Sequence, residues 1–279
     1  MGRPGEEGLE KTAGRRTGVA VEMHATGSAG KAQAELRKLL SADEPVLVYV
    51  DMGLLPYLKL PDGYHFGGHV VVVAGYDPGS EQVLIADRDP KLHPVDWAVL
   101  ESARGSQFKP FPPRHTWYTF DFGAARRPTQ DEVREAIAEV CRGMLAPPIA
   151  NLGVKGIRKA SRETLRWRDV LEPDALRRTC VTVAIFIDAR GGTGGGIFRY
   201  MYGRFLGEAA SILAEPRLAE LGADLATIGD EWEKVAVAFT HAAQADDPAD
   251  LLETATRPML AIADREQDFW ERLDALITA

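Results

Sequence analysis

Cysteine is scarce in this chain: 279 residues contain two, Cys141 and Cys180. Two isolated thiols build neither a disulfide framework nor a cluster of metal ligands, and they fit a reducing compartment. Long hydrophobic runs are missing as well. No stretch of about 18 apolar residues is available to span a bilayer as a helix. Met1–Arg16 is polar and has no apolar signal core, so a cytoplasmic location is the expectation. Positive charge is in deficit. Lys and Arg number 33 against 41 Asp and Glu, giving a formal charge of -8 and a pI near 5.4. That balance argues against a general affinity for nucleic acid or an anionic membrane, which needs clustered cations. Neither Gly (27) nor Pro (17) is in excess, so global disorder is not expected. No repeat, low-complexity tract, metal-ligand spacing or cofactor motif is evident, and no cofactor is expected.

What is present is apolar material, 45% of residues, enough for one large domain or two of ordinary size. The first 16 residues read as poorly ordered or weakly helical. VAVEMHA (19–25) alternates as a strand does. Lys31–Leu40 carries Ala32, Leu36, Leu39 and Leu40 at helical spacing, with Ser28 or Gly30 to begin it. VLVYVD (46–51) is an apolar β-branched run, as expected of a central strand. A loop over 52–68 precedes HVVVVAGYD (69–77) and QVLIADRD (82–89), which read as a hairpin. Asp96–Arg104 reads as a short helix and WYTFDF (117–122) as a further strand. After Gly123 the period changes. Thr129 with Glu132 three residues on forms a capping box ahead of the stripe Val133, Ile137, Val140, Cys141, Met144 and Leu145. Ser161–Trp167 reads as helix. Pro173–Asp188 carries conflicting signals, since VTVAIFI favours a strand and EPDALRR a helix opening; the helix is preferred. Stretches 197–214, 223–243 and 250–279 are alanine-rich and amphipathic. The expected fold class is α+β: an antiparallel sheet domain over 1–125, then an all-helical domain over 126–279, with the boundary near Gly123–Pro128.

The hairpin carries the chemistry. A five-residue turn, Tyr76–Ser80, sets residue 73 opposite 83, 71 opposite 85 and 69 opposite 87. His69 and Asp87 then share a face, with Cβ atoms roughly 5 Å apart. An aspartate there accepts a hydrogen bond from one imidazole nitrogen and leaves the other as a base, the orienting role in a catalytic triad. A satisfied polar pair at a strand end explains the same residues. His65 competes as the functional histidine, and Asp89 replaces Asp87 if the turn slips. Tyr57, in the LPY segment, and His65 are candidate substrate-binding residues.

These residues resemble a known family. HFGGHVVVVAGYD followed by VLIADRD, preceded by PVLVYVDMGLLPY, is similar to the BtrH type of protein from aminoglycoside and other natural-product biosynthesis. Papain-like and bacteriocin-processing cysteine peptidases share a weaker form of the pattern. The likeness covers roughly residues 15–122. GTGGGIFRYMYGRFLGEAA (192–210) resembles the helical domain of unknown function that often follows a BtrH-like domain. The resemblance implies a partial papain-like fold and an acyltransferase, or amide hydrolase, that moves an aminoacyl chain from a carrier-protein thioester to an amine. It implies His69 as general base, Asp87 as its orienter, and an acyl carrier protein and a small-molecule amine as partners.

The chain departs from the family in one respect. The family's nucleophilic cysteine lies on a helix well ahead of the strand equivalent to Val19–Ala25, and Met1–Arg16 has no cysteine. Cys141, on an apolar stripe, and Cys180, in an apolar segment, read as core. Nothing in the spacing of Ser28 or Ser41 supports a substitute. Two readings follow: the chain begins at an internal methionine and lacks the nucleophile helix, or it is a pseudoenzyme that binds a ligand or partner. An incomplete sheet domain leaves an apolar face uncovered, so a homodimer is expected.

Outside the sheet, Gly191–Gly196 leads into a helix with Arg199 in its first turn. Gly194, Gly195 and Arg199 are candidates for binding an anion such as a phosphopantetheine phosphate or a substrate carboxylate. The loop lacks the Gly-Lys-Ser/Thr ending of a P-loop, and a connector or close helix crossing is the favoured explanation. The cations of 158–168 (RKASRETLRWR) are read as a solvated face rather than a docking surface for an acidic carrier.

Overall fold

The computed structural model describes residues 8–60, 62–109, 111–188 and 194–278. The chain divides into two compact units between Arg127 and Pro128. Among the described residues no helix is long and apolar enough to cross a membrane. The α+β class is as the sequence indicates, a six-stranded antiparallel sheet followed by a helical region.

The first unit runs α1 (Leu9–Thr17), β1 (Ala20–His24), α2 (Ala29–Ser41), β2 (Val46–Val50), β3 (His69–Asp77), β4 (Gln82–Ala86), β5 (Leu92–Asp96), α3 (Trp97–Gly105) and β6 (Trp117–Asp121). The strand order is β1-β6-β2-β3-β4-β5. Residues of one parity on β2, β3 and β4 form the buried face: Val46, Val48, Val50, Val71, Val73, Val83 and Ile85. They pack with Leu36 and Leu40 of α2 and with Trp97, Leu100 and Ala103 of α3. Ser28 caps α2 by accepting from Lys31 N. Two 3-10 turns, Met52–Leu54 and Pro56–Leu58, interrupt the long connection from β2 to β3. Strand β5 has no counterpart in the sequence reading. Its Pro94 weakens the strand signal and is tolerated because β5 is an edge strand.

The hairpin register differs from the expected one. The turn is tighter, with Asp77 opposite Gln82, and the register shifts between Val73 and Gly75. Val73 therefore faces Ile85, not Val83, and Val72 faces Ala86. The net displacement is even, so side chains stay on their expected face. His69 and Asp87 become diagonal neighbours instead of direct opposites, a separation that long side chains bridge.

The second unit contains α4 (Gln130–Leu145), α5 (Gly153–Leu165), the short α6 (Trp167–Val170), α7 (Pro173–Ile187), α8 (Gly195–Leu213), α9 (Arg217–Gln244) and α10 (Leu252–Thr278). The capping box at Thr129 and Glu132 is formed in both directions. Helix α7 adopts the preferred state, because Leu176, Cys180 and Ala184 recur every four residues as a buried stripe in the helical core. The β-branched residues that signalled strand lie partly outside it, with Val181 and Ile185 exposed. Tertiary burial of one face outweighs a weak intrinsic preference here. Helices α8 and α9 cross where Gly203 meets Gly222; a Cβ on either would lie about 2.5 Å from the other's carbonyl oxygen.

Candidate functional site

Three chain segments end together at one end of the sheet. β2 stops at Val50, which lies opposite His69, the first residue of β3. β4 stops at Ala86, immediately before Asp87. The polar residues that close these apolar strands fall where the ladder ends and loops begin.

His69 Nε2 donates to Asp87, at 2.9 Å to Oδ2 and 3.1 Å to Oδ1. Tyr57, from the second 3-10 turn, donates its hydroxyl to Asp87 Oδ2 at 2.9 Å. The Asp87 side chain is 4% exposed and that of His69 is 14% exposed. Burial pushes the Asp87 carboxyl up, but the hydrogen bond and charge of His69, with the Tyr57 hydroxyl, outweigh it and hold the acid below its ordinary value. Burial and then the Asp87 charge push the Tyr57 phenol well up, so it remains a donor. With Nε2–H given to the carboxylate, the neutral ring keeps its lone pair on Nδ1, which meets no hydrogen-bonding partner among the described residues. The Tyr57 ring stacks on His93, with centroids 4.1 Å apart. Asp89 pairs with His93 Nε2 at 3.1 Å and not with His69.

A second histidine–aspartate pair lies at the same end of the sheet. Asp51 directly follows β2 and is fully buried. Its Oδ1 accepts from Gly53 N and Phe66 N, and its Oδ2 accepts from Ser106 Oγ at 2.6 Å and His65 Nδ1 at 2.9 Å. Burial raises this acid, and the hydrogen bonds from Ser106, Phe66, His65 and Gly53 more than offset it, leaving it below its ordinary value. The His65 ring stacks on Phe108, with centroids 3.4 Å apart. The sequence reading placed His65 in the loop but missed Asp51 and Ser106. A charged residue closing VLVYVD is a readable signal for Asp51. Ser106, far along the chain, gives none.

The thiols lie elsewhere. Cys141 and Cys180 are fully buried in the core of the helical unit. Burial pushes the Cys141 thiol up to about 12 and raises Cys180 as well, the reverse of an activated nucleophile. Among the described residues no group of three or more His, Cys, Asp or Glu side chains is placed to hold a metal ion.

The glycine-rich segment belongs to the helical unit, and its residues 191–193 lie outside those described. Gly194 and Gly195 are buried. Gly195 has φ of 53°, and a Cβ there would lie 2.4 Å from the Ile187 carbonyl oxygen, so it is the close crossing with the end of α7. Arg199 is engaged internally: Nη2 and Nε lie 2.6 and 2.8 Å from Oε1 of the fully buried Glu266, and Nη1 donates to Gly195 O. Cations of the 158–168 stretch are also engaged, Arg158 with Asp264, Arg166 with Glu163 and Arg168 with the Ala249 carbonyl.

No curated protein matches this chain. Two family profiles do, in order. The profile for butirosin biosynthesis protein H, N-terminal, covers residues 1–88. The second profile begins at residue 98, so all of α3 but its first residue, together with β6, falls within it. That profile, the domain of unknown function DUF4872, extends over 98–273, well over half of the chain, and the chain belongs to that family, with its N-terminal part similar to butirosin biosynthesis protein H.

Proposed function

We propose that the sheet unit carries out acyl transfer to an amine, with His69 as general base and Asp87 as the group that orients it. The observation that carries this reading is the His69 Nε2–Asp87 bond, which leaves Nδ1 as the ring's free base at the end of the sheet. The N-terminal match to a butirosin biosynthesis protein supports an acyl donor and an amine acceptor from that kind of pathway. A covalent route needs a thiol within hydrogen-bond reach of the base, and neither Cys141 nor Cys180 is suited to it. With the described residues alone, the step is written as direct attack. The amine nitrogen bonds to the thioester carbonyl carbon, His69 takes the amine proton, the carbon–sulfur bond breaks, and the proton passes to the departing thiolate. Tyr57, donating to Asp87, helps keep the carboxylate ionised as the imidazolium forms.

The test is amide formation from an aminoacyl pantetheine thioester and an aminoglycoside amine, followed by mass spectrometry. His69→Ala is expected to lower turnover by about 10² to 10⁴-fold, the usual contribution of a general base. Unchanged turnover in that variant refutes the assignment. A second reading, a binding protein without turnover, is favoured by the burial of both thiols. It predicts that the wild-type protein binds the acceptor amine in calorimetry yet forms no amide.

A further inference from the structure

The Tyr57 hydroxyl is the second proton donor to the carboxylate that orients His69, and its own loop does little to place it. Tyr57 is the middle residue of a three-residue turn, Pro56–Leu58, in the long connection from β2 to β3. The backbone bonds of that turn are local, Leu58 N to Leu55 O and Lys59 N to Pro56 O. A single turn of this kind leaves the tyrosine side chain to choose among rotamers. The ring is held from another element. His93 stands opposite Ile85 in the β4–β5 ladder, so it lies on the helix-covered face of the sheet, near the end of β4 and Asp87. Its ring lies parallel to that of Tyr57, with centroids 4.1 Å apart and 12° between the planes. The His93 ring is fixed in turn. Its Nε2 lies 3.1 Å from Oδ1 of Asp89, and the same oxygen accepts from Lys91 N at 2.9 Å, which ties the ring to the turn between β4 and β5. Asp87 opens that turn, so one short segment carries both the carboxylate and the tether.

A continuous chain of contacts therefore runs from Asp89 through His93 and Tyr57 to Asp87 and His69. We propose that His93 is a positioning residue for the base: it holds the Tyr57 ring so that the hydroxyl keeps its bond to Asp87 Oδ2 and the carboxylate stays aimed at His69 Nε2. The inference rests on the reading of His69 as general base. It adds His93 and Asp89 to the site and moves Tyr57 from a candidate for touching substrate to a support of the orienting acid. The torsion that turns an aspartate carboxylate is broad, so one hydrogen bond restrains it weakly. Two donors, each 2.9 Å from Oδ2 and arriving from different elements, restrain it well. If Asp87 turns, the His69 Nε2–H loses its acceptor. The tautomer with its proton on Nδ1 then competes, and the lone pair leaves the nitrogen that serves as base.

The experiment pairs the amide-forming assay with nitrogen NMR of the full chain carrying 15N-labelled histidine, the His69 signals being assigned by their loss in His69→Gln. The nitrogen shifts report which ring nitrogen holds the proton, whether or not substrate turns over. Wild type is expected to show the neutral His69 ring protonated at Nε2 alone. His93→Ala is expected to show a mixture of tautomers, with kcat about tenfold lower, the weight of one aromatic stack, and KM within about twofold. His93→Phe keeps a parallel ring without the imidazole nitrogens and is expected to restore the single tautomer and most of kcat. Tyr57→Phe is expected to match His93→Ala in both readouts. The double variant should lose no more than either single one, because both act through one hydroxyl. A His93→Ala protein that keeps the wild-type tautomer, a His93→Phe protein as impaired as His93→Ala, or losses that multiply in the double variant each overturns the proposal. A wild-type protein that forms no amide overturns the acyl-transfer reading alone, and the tautomer measurements still decide the role of His93.

Discussion

Arg199→Ala separates two incompatible roles for this arginine. If Arg199 waits for an anionic ligand, its loss leaves folding intact. The structure instead sets its guanidinium 2.6 Å from a carboxylate that is 0% exposed. Glu266 Oε1 also accepts from Trp232 Nε1 at 3.0 Å, and Oε2 accepts from Trp270 Nε1 at 3.2 Å. Removing Arg199 leaves a buried charge with two neutral indole donors. Breaking a buried ion pair in this way costs about 3–5 kcal/mol, and the surviving indole bonds put the expected value near the lower end, about 3 kcal/mol. For a unit of this size that is a fall in Tm of about 6–12 °C. Calorimetry and tryptophan fluorescence read it directly, since Trp232 and Trp270 flank the pair. Arg199→Ala combined with Glu266→Gln is expected to recover about 1–2 kcal/mol, because no buried charge remains while the amide oxygen still accepts. A single-variant Tm within about 1 °C of wild type, as for an ordinary surface arginine, would falsify the buried-pair account and return Arg199 to the candidates for ligand binding.

Asp87→Asn is expected to leave the fold intact and to cut amide formation by about 10² to 10⁴-fold, measured alongside His69→Ala, because the amide lets the imidazole adopt the wrong tautomer. Asp51 and Asp87 are both held below their ordinary value, so each contributes stability that is complete above the unfolded pKa, about 3.9, and lost as pH falls through the depressed folded value. The contribution of these two acids to the urea midpoint should therefore be constant from pH 7 to about 5 and be lost below 4, so the fall below pH 4 is expected to be smaller in Asp51→Asn than in wild type. Gly203→Ala forces a Cβ to within 2.6 Å of the Gly222 carbonyl oxygen, and a loss of about 1–3 kcal/mol is expected in chemical denaturation. Both thiols should resist an aromatic disulfide reagent in the native protein and react at once in urea; fast native labelling would contradict their burial.

Much of the architecture was legible because it rests on local pattern. The alternation of VLVYV and HVVVV, the Thr129–Glu132 box and the Ser28 cap each follow from residues a few positions apart. The pairing of His69 with Asp87 was reached through a register that is displaced, and it survived because an even displacement preserves the face. Strand β5 escaped notice because Pro94 speaks against a strand until the edge position is known. Asp51 and Ser106 stand 55 positions apart and meet only when α3 packs on β2.

By itself, the sequence determined the fold class, the buried face of the sheet and the histidine–aspartate pair, since periodicity and hairpin geometry are short-range properties. Tertiary structure alone decided the partners of groups distant along the chain. Burial around Cys141 and Cys180 makes them core atoms. Glu266 on α10 claims Arg199 on α8. Packing of α3 leaves Arg104 Nε and Nη2 and Trp97 Nε1 buried with no protein acceptor among the described residues. Each depends on which side chains a packed interior brings within about 3 Å, a distance set by helix and sheet packing and not by spacing along the chain.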